Sequence, residues 1–287
     1  MTNPTVPRRR LGQELIRLRK ASGLLGDQVA ATMEWSSTSK LYKIEKGRQG
    51  IQPKELRELL GYYGITDRGT VDELVTLARQ SKQRAWWTPY ASAVHDSYST
   101  YVGLESAAAE LRVYEPTTVV GLLQTEAYAR ALFEVDSRPP LELPSSGLVD
   151  RKVRMRLERQ ALLTGEDPLR LWVILDEAAL RRRVGDDAVM TAQYERLLLA
   201  ARLPSVELQI LPMHDIENPV LPTNFTIIEF PEPEDPDVVY VELLTGGIFV
   251  EGADVRRYNV TYNHLRAAAL SPSKSVQLLK AIAAGRG

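Results

Sequence analysis

The chain has 287 residues, 44% hydrophobic and 25% charged, which is a globular balance with room for two domains that each bury a core. It holds no cysteine, which excludes disulfides and thiolate zinc sites, and no apolar run near the roughly 18–20 residues that span a membrane. The net charge of −1 conceals an asymmetry: residues 1–85 hold 16 Lys and Arg against 9 Asp and Glu, a net of +7, and residues 86–287 hold 20 against 28, a net of −8. A basic head can neutralise phosphates, and an acidic body discourages indiscriminate coating of a nucleic acid.

Residues 1–7 are polar and contain proline, and regular structure is not expected there. Arg8, Arg9 and Arg10 have no apolar stretch behind them, so the start does not read as a signal peptide. These arginines read either as an arm that touches phosphates or as the solvated start of a helix. Leu11, Leu15, Ile16 and Leu18 then repeat at helical spacing, and Leu25, Val29 and Met33, with Ala30 beside them, do so again. Ser36 and Ser37 suit the N-cap of a third helix, in which Leu41, Ile44 and Glu45 point one way and Thr38, Ser39, Lys40, Tyr42 and Lys43 another. Gly47 ends it. Pro53 opens a fourth helix with Leu56, Leu59, Leu60 and Tyr63 on one face, and Val71, Leu74, Val75, Leu77 and Ala78 mark a fifth. Two short helices, the second with a small, polar and basic outer face, have the geometry that enters a DNA major groove.

LGQELIRLRKASGL (11–24), SKLYKIEKGRQG (39–50) and PKELRELLGYYGI (53–65) carry a resemblance to the lambda-repressor/Cro-like helix-turn-helix family, often called XRE. Its most specific element here is Ile44, Glu45 and Gly47. The chain departs from the family where Leu25 and Gly26 stand in place of Thr-Gln, with Gln28 two residues later, and in a stretch between Trp35 and Lys40 that is one residue longer. The resemblance implies an N-terminal all-α five-helix DNA-binding domain over residues 8–83. Within it Ser37, Thr38, Ser39 and Lys40, at the start of the recognition helix, are expected to reach base edges or nearby phosphates, with Tyr42 and Lys43 one turn later. Gln28, Lys46 and Arg48 are placed for backbone phosphates. Glu45 is expected to be structural, paired with Arg17 or Arg19.

At residues 79–90 the charges stop and Trp86, Trp87 and Tyr90 arrive together, a junction. These aromatics, with Tyr98 and Tyr101, read as packing residues or, less simply, as a ligand cage. Beyond them helical periodicity appears over Tyr101–Tyr114, Leu122–Phe133, Val149–Leu163, Met190–Ala201, 254–270 and 272–284. Strand candidates are Leu169–Leu175, Val206–Leu211, Phe225–Phe230, Val238–Leu244 and Ile248–Glu251, with a hairpin across PEPEDPD. Residues 86–287 are therefore expected to form a larger α+β domain.

The run WWTPYASAVHDSYSTYVGLESAAAELRVYEPTTVVGLLQTEAYARAL (86–132) resembles the large C-terminal domain of a regulator family typical of actinobacteria. GLLQTEAYARAL (121–132) is its most specific part, and RKVRMRLERQ (151–160), LDEAALRRRVG (175–185) and VVYVELLTGG (238–247) also match. Val120 stands where that family usually has proline. The resemblance implies a transcriptional regulator; members are often encoded beside a small partner protein, and some are antitoxin-like. It implies no catalytic residues.

Enzyme signals are poor. His95, His214 and His264 are far apart, and no metalloprotease, nucleophile-elbow, Walker or dinucleotide glycine motif appears. His214-Asp215 reads as a polar loop pair, and Asp176-Glu177 as the N-cap of a helix. The segment 151–160 carries Arg151, Lys152, Arg154, Arg156 and Arg159 against Glu158 alone. It reads as a solvated face paired with acids or as a site for phosphate or an acidic partner, and Arg181–Arg183 reads likewise. The expectation is a cytoplasmic DNA-binding regulator that is not an enzyme and needs no cofactor or metal. Its partners would be double-stranded DNA, a second copy in a homodimer and no membrane, and its large domain would sense a protein or ligand. The rival reading is an antitoxin-like interaction protein that binds a small product of a neighbouring gene and autoregulates.

Overall fold

The computed structural model describes residues 6–47, 49–80, 86–136, 147–213, 223–233 and 235–285. Residues 1–5, Arg48, the middle of the expected junction at 81–85, and the pair His214-Asp215 lie outside them. The chain divides into two compact units, Met1–Ala91 with Asp96–Ala107, and Ser92–His95 with Ala108–Gly287.

The first unit opens with five helices, α1 (Val6–Ala21), α2 (Gly26–Thr32), α3 (Thr38–Glu45), α4 (Pro53–Tyr62) and α5 (Arg68–Gln80). Leu11, Leu15 and Leu18 of α1 pack with Val29, Leu41, Ile44, Leu56, Leu59, Leu60, Leu74 and Val75 in one core. Each fully buried leucine removes apolar surface from water that is worth about 1.5–3 kcal/mol. Arg8, Arg9 and Arg10 are helical, because α1 already begins at Val6; Arg10 lies 3.9 Å from Glu73 of α5. They form a basic first turn rather than an extended arm.

A 3-10 helix at Thr88–Ala93 and α6 (Asp96–Glu105) follow. The expected boundary fell before Trp86, whereas residues 86–91 and 96–107 group with the five helices. The packing gives the reason. A Cβ on Gly103 would lie 2.8 Å from the Trp87 ring, so that ring sits directly on α6, and the Trp86 indole donates to Ser106 at 3.3 Å.

The second unit is a six-stranded mixed sheet with helices, an α+β architecture. Its strands are β1 (Glu110–Glu115), β2 (Arg170–Asp176), β3 (Val206–Leu211), β4 (Phe225–Glu229), β5 (Val238–Leu243) and β6 (Gly246–Val250). They lie in the order β3-β2-β1-β4-β5-β6. β1, β2 and β3 are parallel; β4 joins β1 antiparallel, opposite Glu110–Tyr114, and β5 and β6 continue antiparallel. The remaining helices are α7 (Glu126–Asp136), α8 (Leu148–Arg159), α9 (Glu177–Arg181), α10 (Asp187–Ala200), α11 (Val255–Ala268) and α12 (Pro272–Ala283). Tyr114, Ile174, Phe225, Ile227 and Val239 form a core with Val255, Tyr262 and Leu265 of α11. The outer edge of β3 is covered by the α11–α12 junction: Leu270 N–H donates to Ile210 O, and Ile210 N–H donates to Ser275 Oγ, both at 2.9 Å.

One expected element is corrected. Tyr101–Tyr114 reads as one helix, yet the chain leaves α6 at Glu105 and becomes β1 at Glu110. Leu111 and Val113 are buried, and β1 hydrogen-bonds to a strand on each side, so tertiary pairing overrides the helical periodicity of the alanine run.

Candidate nucleic-acid interface

Helices α2 and α3 meet across the turn 33–37. Trp35 N–H closes it on Ala30 O at 2.8 Å, and Glu34 takes a positive φ of 52°, unusual for a residue with a Cβ. Gly26, at the start of α2, lets that end lie close to α3, because a Cβ there would sit 3.1 Å from the Tyr42 hydroxyl. In α3, Leu41, Ile44 and Glu45 face inward and are buried. The opposite side presents Ser39, Tyr42 (52% exposed), Lys43 and, just past the helix, Lys46 to solvent.

Ser37 stands at the N-cap with extended backbone but makes no capping bond through its side chain, so the exposed hydroxyl is not used to cap the helix. Thr38 is half-buried. Gln28 is exposed, yet its carbonyl oxygen accepts from Leu25 N–H at 2.8 Å, which braces the start of α2. Lys40 differs most from expectation. It is half-buried, its Nζ is ion-paired with Glu55 Oε1, and it lies 4.7 Å from the centre of the Trp35 ring. The Trp35 indole N–H donates to the same Glu55 oxygen at 2.8 Å. Sequence spacing missed Glu55 and Trp35, because the pairing is made by α4 packing back onto the turn.

Beneath α3 the bracing is ionic. Arg19 of α1 donates through Nε to Glu45 Oε1 at 2.6 Å and through Nη2 to Oε2 at 3.1 Å. Its Nη1 reaches Leu24 O at 3.2 Å. The hydrogen bond to Glu45 raises the Arg19 guanidinium above its ordinary range, against the opposing effect of burial. Of the two expected partners Arg19 is therefore the one used; Arg17 pairs with Glu14, three residues back on α1.

The basic segment 151–160 in the second unit is solvated only in part: Arg154 and Glu158 are exposed, whereas Arg156 and Arg159 are packed into the unit. Arg159 is 3% exposed, and the half-buried Arg156 donates to Gln124 Oε1 at 2.7 Å with its guanidinium 4.4 Å from the centre of the Phe133 ring. Gln124 Nε2 donates to Val119 O at 2.6 Å, and Gln160 Nε2 donates to Gln124 O at 2.7 Å. Gln193 accepts from Thr125 N–H and donates to Leu123 O, both at 2.8 Å. The GLLQT stretch is thus pinned by side chains from α8, α10 and the 3-10 turn after α8. Arg181 pairs with Glu177, and Arg183 with Asp187 at 3.0 Å. Asp176 caps α9 by accepting from Ala178 N–H at 2.8 Å, as its position suggested.

Glu115, at the end of β1, has a carboxyl pushed up to about 8 by burial first and then by repulsion from Glu242, against a 3.4 Å hydrogen bond from Asn224 and the attraction of Arg156. The folded state therefore keeps this proton over a range in which the unfolded chain has lost it. Stability contributed here is complete below about pH 4.5 and falls as pH rises toward 8, by at most about 1.4 kcal/mol per pH unit. Glu115→Gln should flatten the fall in thermal midpoint between pH 5 and 8; an unchanged slope in that variant would assign the pH dependence elsewhere.

A family model described as a helix-turn-helix domain matches residues 10–74, which span α1 to α5. A second, described as a domain of unknown function (DUF5753), matches residues 98–281, from within α6 to α12. No curated protein and no solved structure matches the chain.

Proposed function

Because the chain belongs to the DUF5753 family and carries a helix-turn-helix domain ahead of that region, we propose that it is a sequence-specific, double-stranded-DNA-binding transcriptional regulator of the cytoplasm. The observation that carries this reading is the outer side of α3. Ser39, Tyr42, Lys43 and Lys46 are exposed there, on a helix fixed from below by the Arg19–Glu45 pair, in an 85-residue region of net charge +7. A rigid helix with short polar and basic side chains is suited to hydrogen-bond base edges, and the surrounding charge to hold phosphates. We assign the five helices within residues 8–83 to DNA reading and the sheet unit, from Ala108 onward, to sensing a protein or ligand. A homodimer follows from the need of one small helix-turn-helix for a second half-site.

The test is binding to the region upstream of its own gene and to an unrelated duplex, over a salt series. The first should exceed the second by about a thousandfold or more. Ser39→Ala with Lys43→Ala should weaken cognate binding by roughly 10- to 100-fold, at about 1 kcal/mol or more per lost base contact, with no change in thermal midpoint because both side chains are exposed. Unaltered cognate affinity in that double variant would remove α3 from the interface.

The second reading, an antitoxin-like protein that captures a small neighbouring-gene product, draws on the hairpin of β5 and β6. Leu244 is 92% exposed, with Leu243 and Ile248 each 49% exposed beside it, an apolar tip of the kind that protein contacts use. Co-purification with that product, lost in Leu244→Asp, would favour it.

A further inference from the structure

Trp35, Lys40 and Glu55 come from three places, the turn, the recognition helix and the first turn of α4, and converge on one carboxylate oxygen. Glu55 Oε1 accepts from the Trp35 indole at 2.8 Å and from Lys40 Nζ, which also lies 4.7 Å from the centre of the Trp35 ring. Lys40 is the third residue of α3, in the turn that enters a groove first, and the pair leaves that position with no net charge.

We infer that Glu55 is a positioning residue for DNA specificity: it holds Lys40 against Trp35, away from phosphates, so that Lys40 adds nothing to sequence-independent binding. The inference rests on the DNA-binding reading above and extends it to a residue outside the recognition helix. Three observations support it. The pair is only partly exposed, with side chains 34% and 25% accessible, so it is less screened by salt than a surface pair. The Glu55 carboxylate lies in the first turn of α4, where the helix dipole favours negative charge. Burial alone would raise its pKa, but the hydrogen bonds from Lys40 and Trp35 and the attraction of Lys40 outweigh burial and hold it below the usual carboxylate range. The Glu55 carboxylate is therefore ionised at neutral pH.

Non-specific binding is driven by counterion release, with a slope of log K against log salt of about −0.9 for each phosphate neutralised. A lysine already neutralised by Glu55 does not count toward that slope. Glu55→Gln keeps an acceptor for the Trp35 indole and releases the lysine charge. It should steepen the slope on an unrelated duplex by about 0.9 and tighten that binding about fivefold to tenfold near 0.1 M salt. The ratio of cognate to unrelated affinity should fall correspondingly.

The discriminating experiment measures both duplexes over a salt series with the full chain as wild type, Glu55→Gln, Lys40→Met and the double variant. Lys40→Met alone leaves the Glu55 carboxylate uncompensated and should not tighten unrelated-duplex binding, and in the double variant the extra slope should vanish. The inference is overturned if Glu55→Gln leaves the slope unchanged while the wild type binds DNA. It is equally overturned if the slope steepens as much in the Lys40→Met background, which would mean that removing any negative charge suffices. Wild-type protein that binds neither duplex would instead remove the regulatory reading itself.

Discussion

Replacing Gly12 by alanine should unfold the N-terminal helices well below the wild-type midpoint and abolish DNA binding. A Cβ at residue 12 would lie 2.3 Å from Glu45 O and 2.9 Å from both Glu45 C and Ile44 O. These are backbone atoms at the end of α3, and no rotamer can move them aside. To restore ordinary van der Waals separation, α1 would have to withdraw by about 1 Å or more. That withdrawal pulls Arg19 off Glu45, which is buried, and separates Leu11 and Leu15 from Leu41 and Ile44. Overpacking costs about 1–3 kcal/mol, and opening a buried ion pair adds to it. A total near 3 kcal/mol lowers the midpoint of a unit this size by roughly 12–24 °C. Thermal unfolding of the full chain followed by circular dichroism checks this. A shift of only a few degrees would mean that α1 and α3 do not meet as closely as the structure places them. Gly47 makes the same contact from the other side: with φ of 66°, its Cβ would lie 3.2 Å from the Arg9 backbone.

In the sheet unit the largest loss is expected from Gln193→Leu. The Gln193 side chain is fully buried and makes two bonds of 2.8 Å, one from Thr125 N–H and one to Leu123 O. Leucine fills similar space and satisfies neither. Each buried backbone group left without a partner costs about 1–3 kcal/mol, so roughly 2–6 kcal/mol should be lost in all. The urea midpoint of the second unit should fall with its slope unchanged. A loss below about 1 kcal/mol would show that this stretch can find other partners. Because Gln193 lies on α10, the same change should loosen the GLLQT stretch that Arg156 and Gln160 also hold.

The contrast between these residues shows what could be read from the chain. The five N-terminal helices were legible because each carries its own amphipathic spacing and its own breaker, such as Pro53 before α4. β3 was legible to the residue, Val206–Leu211, because Pro204 and Pro212 bracket an apolar run rich in branched residues. β1 was not. Its ELRVYE follows an alanine run that continues the helical pattern, and only pairing with strands 60 and about 115 residues away decides its state. The candidate interface divides the same way. Ser39, Tyr42 and Lys43 project from α3 as helical spacing requires. The engagement of Lys40 depends on Glu55, 15 residues later on another helix, which no local pattern specifies. The choice of Arg19 over Arg17 turned on Glu14, which takes Arg17 by its own spacing on α1.

The strand order has a consequence in time. The five helices of the first unit find their partners within the first 80 residues, α1 on α3 and α5 included, so they can close once those residues have left the ribosome. The second cannot close early. β1 lies at the centre of the sheet, and its antiparallel neighbour begins at Phe225, about 110 residues after Glu115. At roughly 5–20 residues per second of synthesis, β1 waits some 5–20 s with one edge open, even after β2 and β3 have emerged. A nascent chain therefore passes through an interval in which its head is finished and able to meet DNA while its sheet still offers bare backbone to other chains. In that interval chaperone binding and aggregation should compete for the edge beside β1, and slower translation would lengthen the exposure.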